Sequence, residues 1–510
     1  MSKVIFSFLL VIILLSSCHE KVRNANVELT LDSFSKLRDG VYKLNSHEIR
    51  RNIMRLMNDD GMSVSIDKHI YKYYSSENPF IWINRQGIYG RVDTLLAIIK
   101  NADYWGIGTQ MLRVVQIEND IQCIRTLNID SDNDGINMIM ARLEYNLTRA
   151  YFRYAVGMRY GFVNPDYFYN RFEEYTVDSL TTRFRQLSDM RVERPDTLFY
   201  RKLVVKAFND SIGRFLSTLD CKSTLYTQLI ERLNSDNISR DERLKTLCNI
   251  ERCRWRLKIL KGEINFDKYV EVNIPSFSLH AYNKDKMLFM RVGCGTYENK
   301  TPLLSSYITR MDVNPQWILP KSIAKGIVGN LEYMYKMGMF VLDKKKGKLP
   351  PEDASYDKVM KGEQYIIQAG GPKNSLGRII FRFNNNFSVF LHDTSSPWLF
   401  QRANRAVSHG CIRVEKPYEL AVFLLGDADE KLIDRLKYSM TVDFQRNNDS
   451  IKKVKIDRKR LVNSISVHPP VPLFITYYTI YLNENKQLVD FQDIYGFDKV
   501  LAEQLEPFMK

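Results

Sequence analysis

Near Asn265 the spacing of apolar residues changes from a helical period to an alternating one, so the chain reads as a helical half followed by a sheet-rich half. Upstream, from about 46 to 262, helical patterns dominate. Val92, Leu95, Leu96 and Ile99 mark one face of a helix over 92–100. Met138 to Tyr160 is a longer helix with Leu143, Leu147, Ala150, Tyr151 and Tyr154 on one side, stopped by Gly161 and Pro165. Ser223–Leu233 and Arg240–Leu260 are two further candidates.

Downstream the pattern is of strands and turns. Tyr269–Ile274 is strand-like and ends at Pro275. Phe277–Tyr282 and Met287–Val292 flank the polar turn Asn283–Lys286 and predict a hairpin. Arg378–Phe383 and Phe387–His392 flank Asn384–Asn386 and predict a second, with Ser388, Phe390 and His392 on one face. Glu415–Leu425 predicts a helix with Pro417 in its first turn. Residues 320–362 contain the basic run Asp343–Lys348 before Pro350-Pro351, which reads either as a solvated loop or as a mobile lid. Pro472–Thr479 predicts a late strand.

The first residues address a compartment. A basic start, a short apolar run from Val4 to Leu15, then Leu15-Ser16-Ser17-Cys18 resemble a lipoprotein signal, with Cys18 as the lipidated residue after cleavage. The apolar run is too short to span a bilayer. Net charge is +15, which in an exported chain points to an anionic envelope polymer or membrane. No zinc-finger, RNA-binding or helix-turn-helix signature is present, so a nucleic-acid partner is not expected. The seven cysteines do not form a disulfide framework, and Cys248 and Cys253 lack histidine partners at metal spacing; no metal is expected.

The chemistry gathers in Ser408-His409-Gly410-Cys411-Ile412-Arg413, with His392 nineteen residues before the cysteine. A thiol attacks as thiolate, and an imidazole can take its proton. Gly410 lets backbone approach a reacting carbonyl, and Arg413 offers a forked cation to a carboxylate. These are the parts of acyl transfer through a thioester.

The same residues resemble the active-site signature of the L,D-transpeptidases of the YkuD type. Val272–Phe277, Val313-Asn314-Pro315-Gln316-Trp317, Pro320–Ala324 and Gln368–Arg378 resemble further blocks of that catalytic domain. Leu147–Ala150 and Gly161–Pro165 are similar to the scaffold domain of the large subfamily, and Thr476–Thr479 with Asp493–Gly496 to its C-terminal piece. The resemblance implies an α+β multidomain chain: a lipoprotein signal peptide over 1–17, a tether over 18–45, a mostly helical scaffold domain over 46–262, a β-rich catalytic domain over 265–445 with a lid insertion at about 320–362, and a C-terminal segment over 446–510 packing back on the others.

It also implies roles. Cys411 is the nucleophile and His392 the general base, its tautomer held by a backbone carbonyl near Asp393. His409 shapes or polarises the site, and the backbone around Gly410 and Cys411 offers the oxyanion donors. Arg413, Ser408 and Asn374 are substrate-contact candidates, with a brace open for Arg413 and a turn-shaping role for Asn374. Phe390 stands where some relatives carry tyrosine, which leaves one carbonyl-polarising hydroxyl missing. The implied partners are peptidoglycan stem peptides, as acyl donor and acceptor, and a membrane reached through the lipid anchor. The implied location is the cell envelope or periplasm, with the outer membrane favoured over the inner because His19, not aspartate, follows Cys18. No cofactor is needed. A carboxypeptidase or endopeptidase of the wall, and a non-catalytic scaffold binding peptidoglycan, stay open as alternatives.

Overall fold

The 25 residues Ile136–Tyr160 form a helix whose buried positions run around its circumference, so it is the centre of a helical unit rather than a surface helix. Gly161, at φ 80°, ends it. On its buried face Glu144 accepts hydrogen bonds from Tyr74 Oη and from the backbone N–H groups of Ile81 and Trp82. Burial pushes this carboxyl up to about 7 against those hydrogen bonds. Around the central helix lie Ser46–Asp60, Ser65–Ser75, Arg91–Lys100 and Val114–Thr126, joined by one core that includes Ile53, Trp82, Leu95 and Leu147. Thr224–Leu233 begins at Ser223, whose side chain caps it. Arg240–Arg254 starts in a reciprocal Ser239/Glu242 capping box. It ends at Trp255, short of the expected Leu260, where the indole turns back to donate to Glu251.

This computed structural model describes residues 43–61, 65–84, 87–126, 128–129, 135–178, 181–258, 267–443 and 456–509. The expected signal peptide, Cys18, nearly all of the expected tether and most of the basic linker after 446 lie outside them. Among the described residues no helix is long and apolar enough to cross a membrane. The described chain divides into two units. The helical unit takes residues up to Asn164, then Val192–Arg256, and the chain from Asp498 on; the other takes Pro165–Arg191 and the described part of Leu257–Phe497. The division does not follow the order of the chain. Ser188–Asp189 adds a parallel strand to the sheet of the second unit, and Phe168, Tyr169 and Phe172 pack on Phe497.

The second unit is built on eight strands: β1 Lys268–Asn273, β2 Ser278–Asn283, β3 Lys286–Gly295, β4 Leu303–Val313, β5 Ile379–Phe383, β6 Leu391–His392, β7 Ile412–Val414 and β8 Ser464–Thr476. They pair in the order β5-β6-β7-β3-β2-β1-β8-β4, and β4 pairs again with β5, so the sheet closes into a barrel. The β6–β7 and β1–β8 pairs are parallel and the rest antiparallel. Register decides what fills it. Val270 pairs Ala281 and Leu473; Val272 pairs Leu279 and Ile475; Val414 pairs Val292; Leu391 pairs Ile412 and Phe381. These side chains share the inner face and are almost wholly buried, each Val, Leu, Ile or Phe among them contributing about 1.5–3 kcal/mol. An eight-stranded barrel leaves an interior just wide enough for such side chains.

The first expected hairpin is present as β2–β3. The second is shorter than the alternation predicts. Asn385 Oδ1 accepts from the Phe387 and Val389 N–H groups, and Ser388 sits at φ 56°, so the chain stays in a turn until Leu391. The helix after the catalytic motif spans Pro417–Leu425, and Glu415 lies outside it, paired with Arg291.

Residues 317–368, which hold the segment read as a solvated loop or a mobile lid, have a fold of their own. Trp317–Ile318, Gln364–Gln368, Met339–Asp343 and Gly347–Leu349 form a four-stranded antiparallel sheet. It has its own core of Leu319, Ala324, Met334, Met339, Val341, Val359 and Ile366. The basic run is a tight turn: Asp343 Oδ1 accepts from the N–H groups of Lys345 and Lys346, and Gly347 takes φ 77°.

Candidate active site

His392 and Arg413 are directly opposed on β6 and β7, and Leu391 opposes Ile412. The Ile412 N–H bonds the Phe390 carbonyl, so the pairing continues one step to Phe390 and Cys411. Leu391 and Ile412 point into the barrel. Alternation therefore places Phe390, His392, Cys411 and Arg413 together on its outer face. The thiol and the imidazole are diagonal neighbours there, and the Phe390 ring stands edge-on to His392 with centroids 5.7 Å apart.

His392 Nδ1 lies 2.6 Å from the Asp393 carbonyl oxygen. A carbonyl can only accept, so Nδ1 carries the proton and Nε2 is left as the basic nitrogen. The Asp393 carboxylate is engaged elsewhere, accepting from the N–H groups of Arg378 and Thr394. Gly377 makes this possible. It has φ +65°, and a Cβ there would fall 2.4 Å from Asp393 Cγ. Burial, with the Arg413 charge adding to it, pulls the His392 imidazole down to about 3; the nearby backbone of Asp393 and Leu376 works the other way. Burial pushes the Cys411 thiol above its ordinary value, opposed by the Phe390 backbone and the charges of Arg413 and Arg382. At rest the pair is therefore neutral thiol and neutral imidazole. Among the described residues no hydrogen bond joins the ring to the sulfur, a geometry that tightens on substrate binding in such sites.

Arg413 bears on both groups with the same charge, favouring thiolate and disfavouring imidazolium. Its Nε is buried without a hydrogen-bond partner, so the brace considered for it has no hydrogen bond at that atom.

Three expected site residues have their polar groups engaged by neighbouring backbone. Asn374 takes the turn-shaping role: it is almost fully buried, donates to the carbonyls of Pro315 and Ala369 and accepts from Leu376 N. Ser408 is likewise buried; its hydroxyl donates to the Cys411 carbonyl at 2.6 Å and accepts from Gly410 N at 3.1 Å. Gly410 N–H is thereby occupied inside the turn and is not available as an oxyanion donor, whereas Cys411 N–H makes no hydrogen bond among the described residues. His409 stands exposed on the turn. Sequence reasoning did not find Thr301, whose hydroxyl donates to the Gly410 carbonyl at 2.9 Å. It lies in no motif and over a hundred residues away. None of the six described cysteines is in a disulfide.

Residues 267–441 match the model of the L,D-transpeptidase catalytic domain, and residues 68–233 match that of the scaffold domain. A Haemophilus influenzae protein named "Putative L,D-transpeptidase" is 26% identical over 322 residues, 61% of this chain and 60% of that protein. Among solved structures, an L,D-transpeptidase from Mycobacterium smegmatis is 13% identical, covering 41% of this chain and 58% of its own, with a TM-score of 0.20. An Enterococcus faecium L,D-transpeptidase is 14% identical, covering 38% and 62%, with a TM-score of 0.16. The two family models, with the site lying inside the catalytic one, identify residues 68–233 as a scaffold domain and residues 267–441 as an L,D-transpeptidase catalytic domain.

Proposed function

We propose that this protein is a peptidoglycan L,D-transpeptidase that makes 3→3 cross-links through a thioester on Cys411, held in the cell envelope by a lipid on Cys18. The observation that carries the reading is the shared outer face of β6 and β7. There a thiol, an imidazole with its tautomer fixed by Asp393 and an arginine with a free Nε stand together inside the matched catalytic domain.

The reaction follows from those groups. His392 Nε2 takes the thiol proton as Cys411 Sγ attacks the carbonyl that joins the third residue of a tetrapeptide stem to its terminal D-alanine. Arg413 stabilises the developing thiolate, and Cys411 N–H donates to the oxyanion. Collapse breaks the C–N bond, and the imidazolium gives its proton to the departing amine of D-alanine. A side-chain amine of a second stem then attacks the thioester, His392 accepts its proton, and the thiol is restored. No metal or organic cofactor enters these steps.

The test is incubation of the purified protein with disaccharide-tetrapeptide and mass spectrometry of the products. A cross-linked dimer with released D-alanine, both lost in Cys411→Ala, is expected. Release of D-alanine without dimer would make water the acceptor and the enzyme a carboxypeptidase. Fragments released from cross-linked sacculi would make it an endopeptidase. No turnover, with no acylation of Cys411 by a carbapenem, would leave a scaffold that binds the wall.

A further inference from the structure

We propose that Thr301 and Tyr495 are positioning residues that aim the Cys411 N–H at the oxyanion, by holding the other end of the same peptide unit. The inference rests on the acyl-transfer reading above. The Gly410 carbonyl and the Cys411 N–H belong to one planar peptide and, in its trans form, point in opposite directions. Fixing the carbonyl therefore fixes the direction of the N–H. Gly410 needs such fixing. Its φ of +111° lies where a backbone without Cβ is at home, and a Cβ there would meet nothing closer than 3.6 Å, so packing alone does not set the plane.

Thr301 supplies the restraint. Its hydroxyl is bracketed by a group that can only accept, the Gly410 carbonyl at 2.9 Å, and one that can only donate, the Gly295 N–H at 2.8 Å. The hydroxyl proton has one destination, and Thr301 is 1% exposed. Tyr495 repeats the device one layer further out. Its hydroxyl accepts from Thr301 N at 3.0 Å and donates to the Gly295 carbonyl at 2.8 Å. Tyr495 is itself fully buried, and its own N–H donates to Tyr477 Oη, which donates to Asp493. Gly295 admits this close packing, because a Cβ there would lie 2.0 Å from the Asn299 carbonyl oxygen. Two buried hydroxyls of fixed direction thus connect the Asp493–Tyr495 segment to the peptide that carries the nucleophile. On the other side of the turn, Ser408 occupies Gly410 N and the Cys411 carbonyl, which leaves Cys411 N–H as a donor with no partner among the described residues.

The experiment compares two reactions of the same sulfur in the full chain: acylation by a carbapenem, which develops an oxyanion, and alkylation by iodoacetamide, which does not. Thr301→Val, which keeps the shape and loses the hydroxyl, is expected to slow the limiting acylation rate at least about tenfold without weakening carbapenem binding. Thr301→Ser should restore most of it, and Tyr495→Phe should fall between. Alkylation should stay within about twofold of wild type in all three, since aiming an N–H does not change the thiol. Wild-type acylation in both Thr301→Val and Tyr495→Phe overturns the inference. So does alkylation falling in step with acylation, which would mean general damage to the turn. A wild-type protein that is alkylated but never acylated removes the acyl-transfer reading itself, and this inference with it.

Discussion

Arg413 stands opposite His392 across a parallel strand pair, and its charge lowers the proton affinity of both His392 and Cys411. With the imidazole down at about 3, His392 is neutral throughout the ordinary range of pH, so Cys411 acylation should lose no rate on the acid side until well below pH 5. Arg413→Leu removes one of the two causes that lower His392. Its affinity for a proton should rise toward 6.5, and the acid limb should move up by about one pH unit, since like charge and burial each shift such groups by that order. The thiol should become harder to ionise as well, slowing acylation at neutral pH about tenfold. Acylation rates measured from about pH 2.5 to 9, a range that spans both acid limbs, check both; an unmoved acid limb would remove the electrostatic role given to Arg413.

A second buried histidine tests the stability of the barrel. His280 lies on the outer face of β2, stacked on Tyr481 and opposed in register to Glu271, and burial pulls it down to about 4. In the unfolded chain it titrates near its ordinary 6.5. Below that pH the unfolded chain binds a proton that the folded one refuses, so stability present above 6.5 falls as the pH drops toward 4. Glu271, raised by burial despite hydrogen bonds from Tyr481 and Thr476, acts with the opposite sign. His280→Phe isolates the histidine. The loss of Tm between pH 7 and pH 5 should be smaller in the variant than in wild type.

Asn374 separates a structural from a substrate role. Its side chain ties three backbone groups around the Gln368–Gly377 turn. Asn374→Ala should cost about 1–3 kcal/mol of stability, the range for leaving buried backbone groups unpaired, while KM for the stem peptide is unchanged. A rise in KM without loss of stability in denaturant melts would return Asn374 to the binding site.

Gly377→Ala should act on the base without touching it. The new Cβ meets the Asp393 carboxylate and the backbone is strained at φ +65°, a conformation that costs about 1–3 kcal/mol for residues with a side chain. Asp393 carries the carbonyl that fixes His392. Cys411 acylation should fall much further than the melting temperature does, and equal modest losses in both would show that Asp393 tolerates the shift.

The helical half, the β2–β3 hairpin and the Cys411/His392 pair were legible because each is written locally, in apolar period, in a polar turn between alternating strands, or in a motif. What was not legible depends on partners distant in sequence or on one side chain outbidding the backbone ladder. Alternation continues through Phe387–Phe390, yet Asn385 bonds that stretch into a turn. The core of residues 317–368 is hidden behind a run of lysines that reads as solvated, although Asp343 folds the run into two hydrogen bonds. Ser408, Asn374 and Gly410 sit in the recognisable blocks, but the sequence cannot say that their polar groups are satisfied by neighbouring backbone. Thr301 carries no signal at all. Its role comes only from the register that brings Gly295 beside Ser408.

β8, the last barrel strand in the chain, is inserted between β1, the first, and β4. Until residues 464–476 are in place, those two strands expose open edges that invite pairing with other chains. The barrel is therefore a late product of folding: β1 to β7 can gather beforehand, but the ring closes by contacts that span some two hundred residues, the slowest kind to form. A chain cut before 464 would keep every group of the catalytic motif and still present a split cylinder, liable to aggregate before it could hold Cys411 and His392 in register.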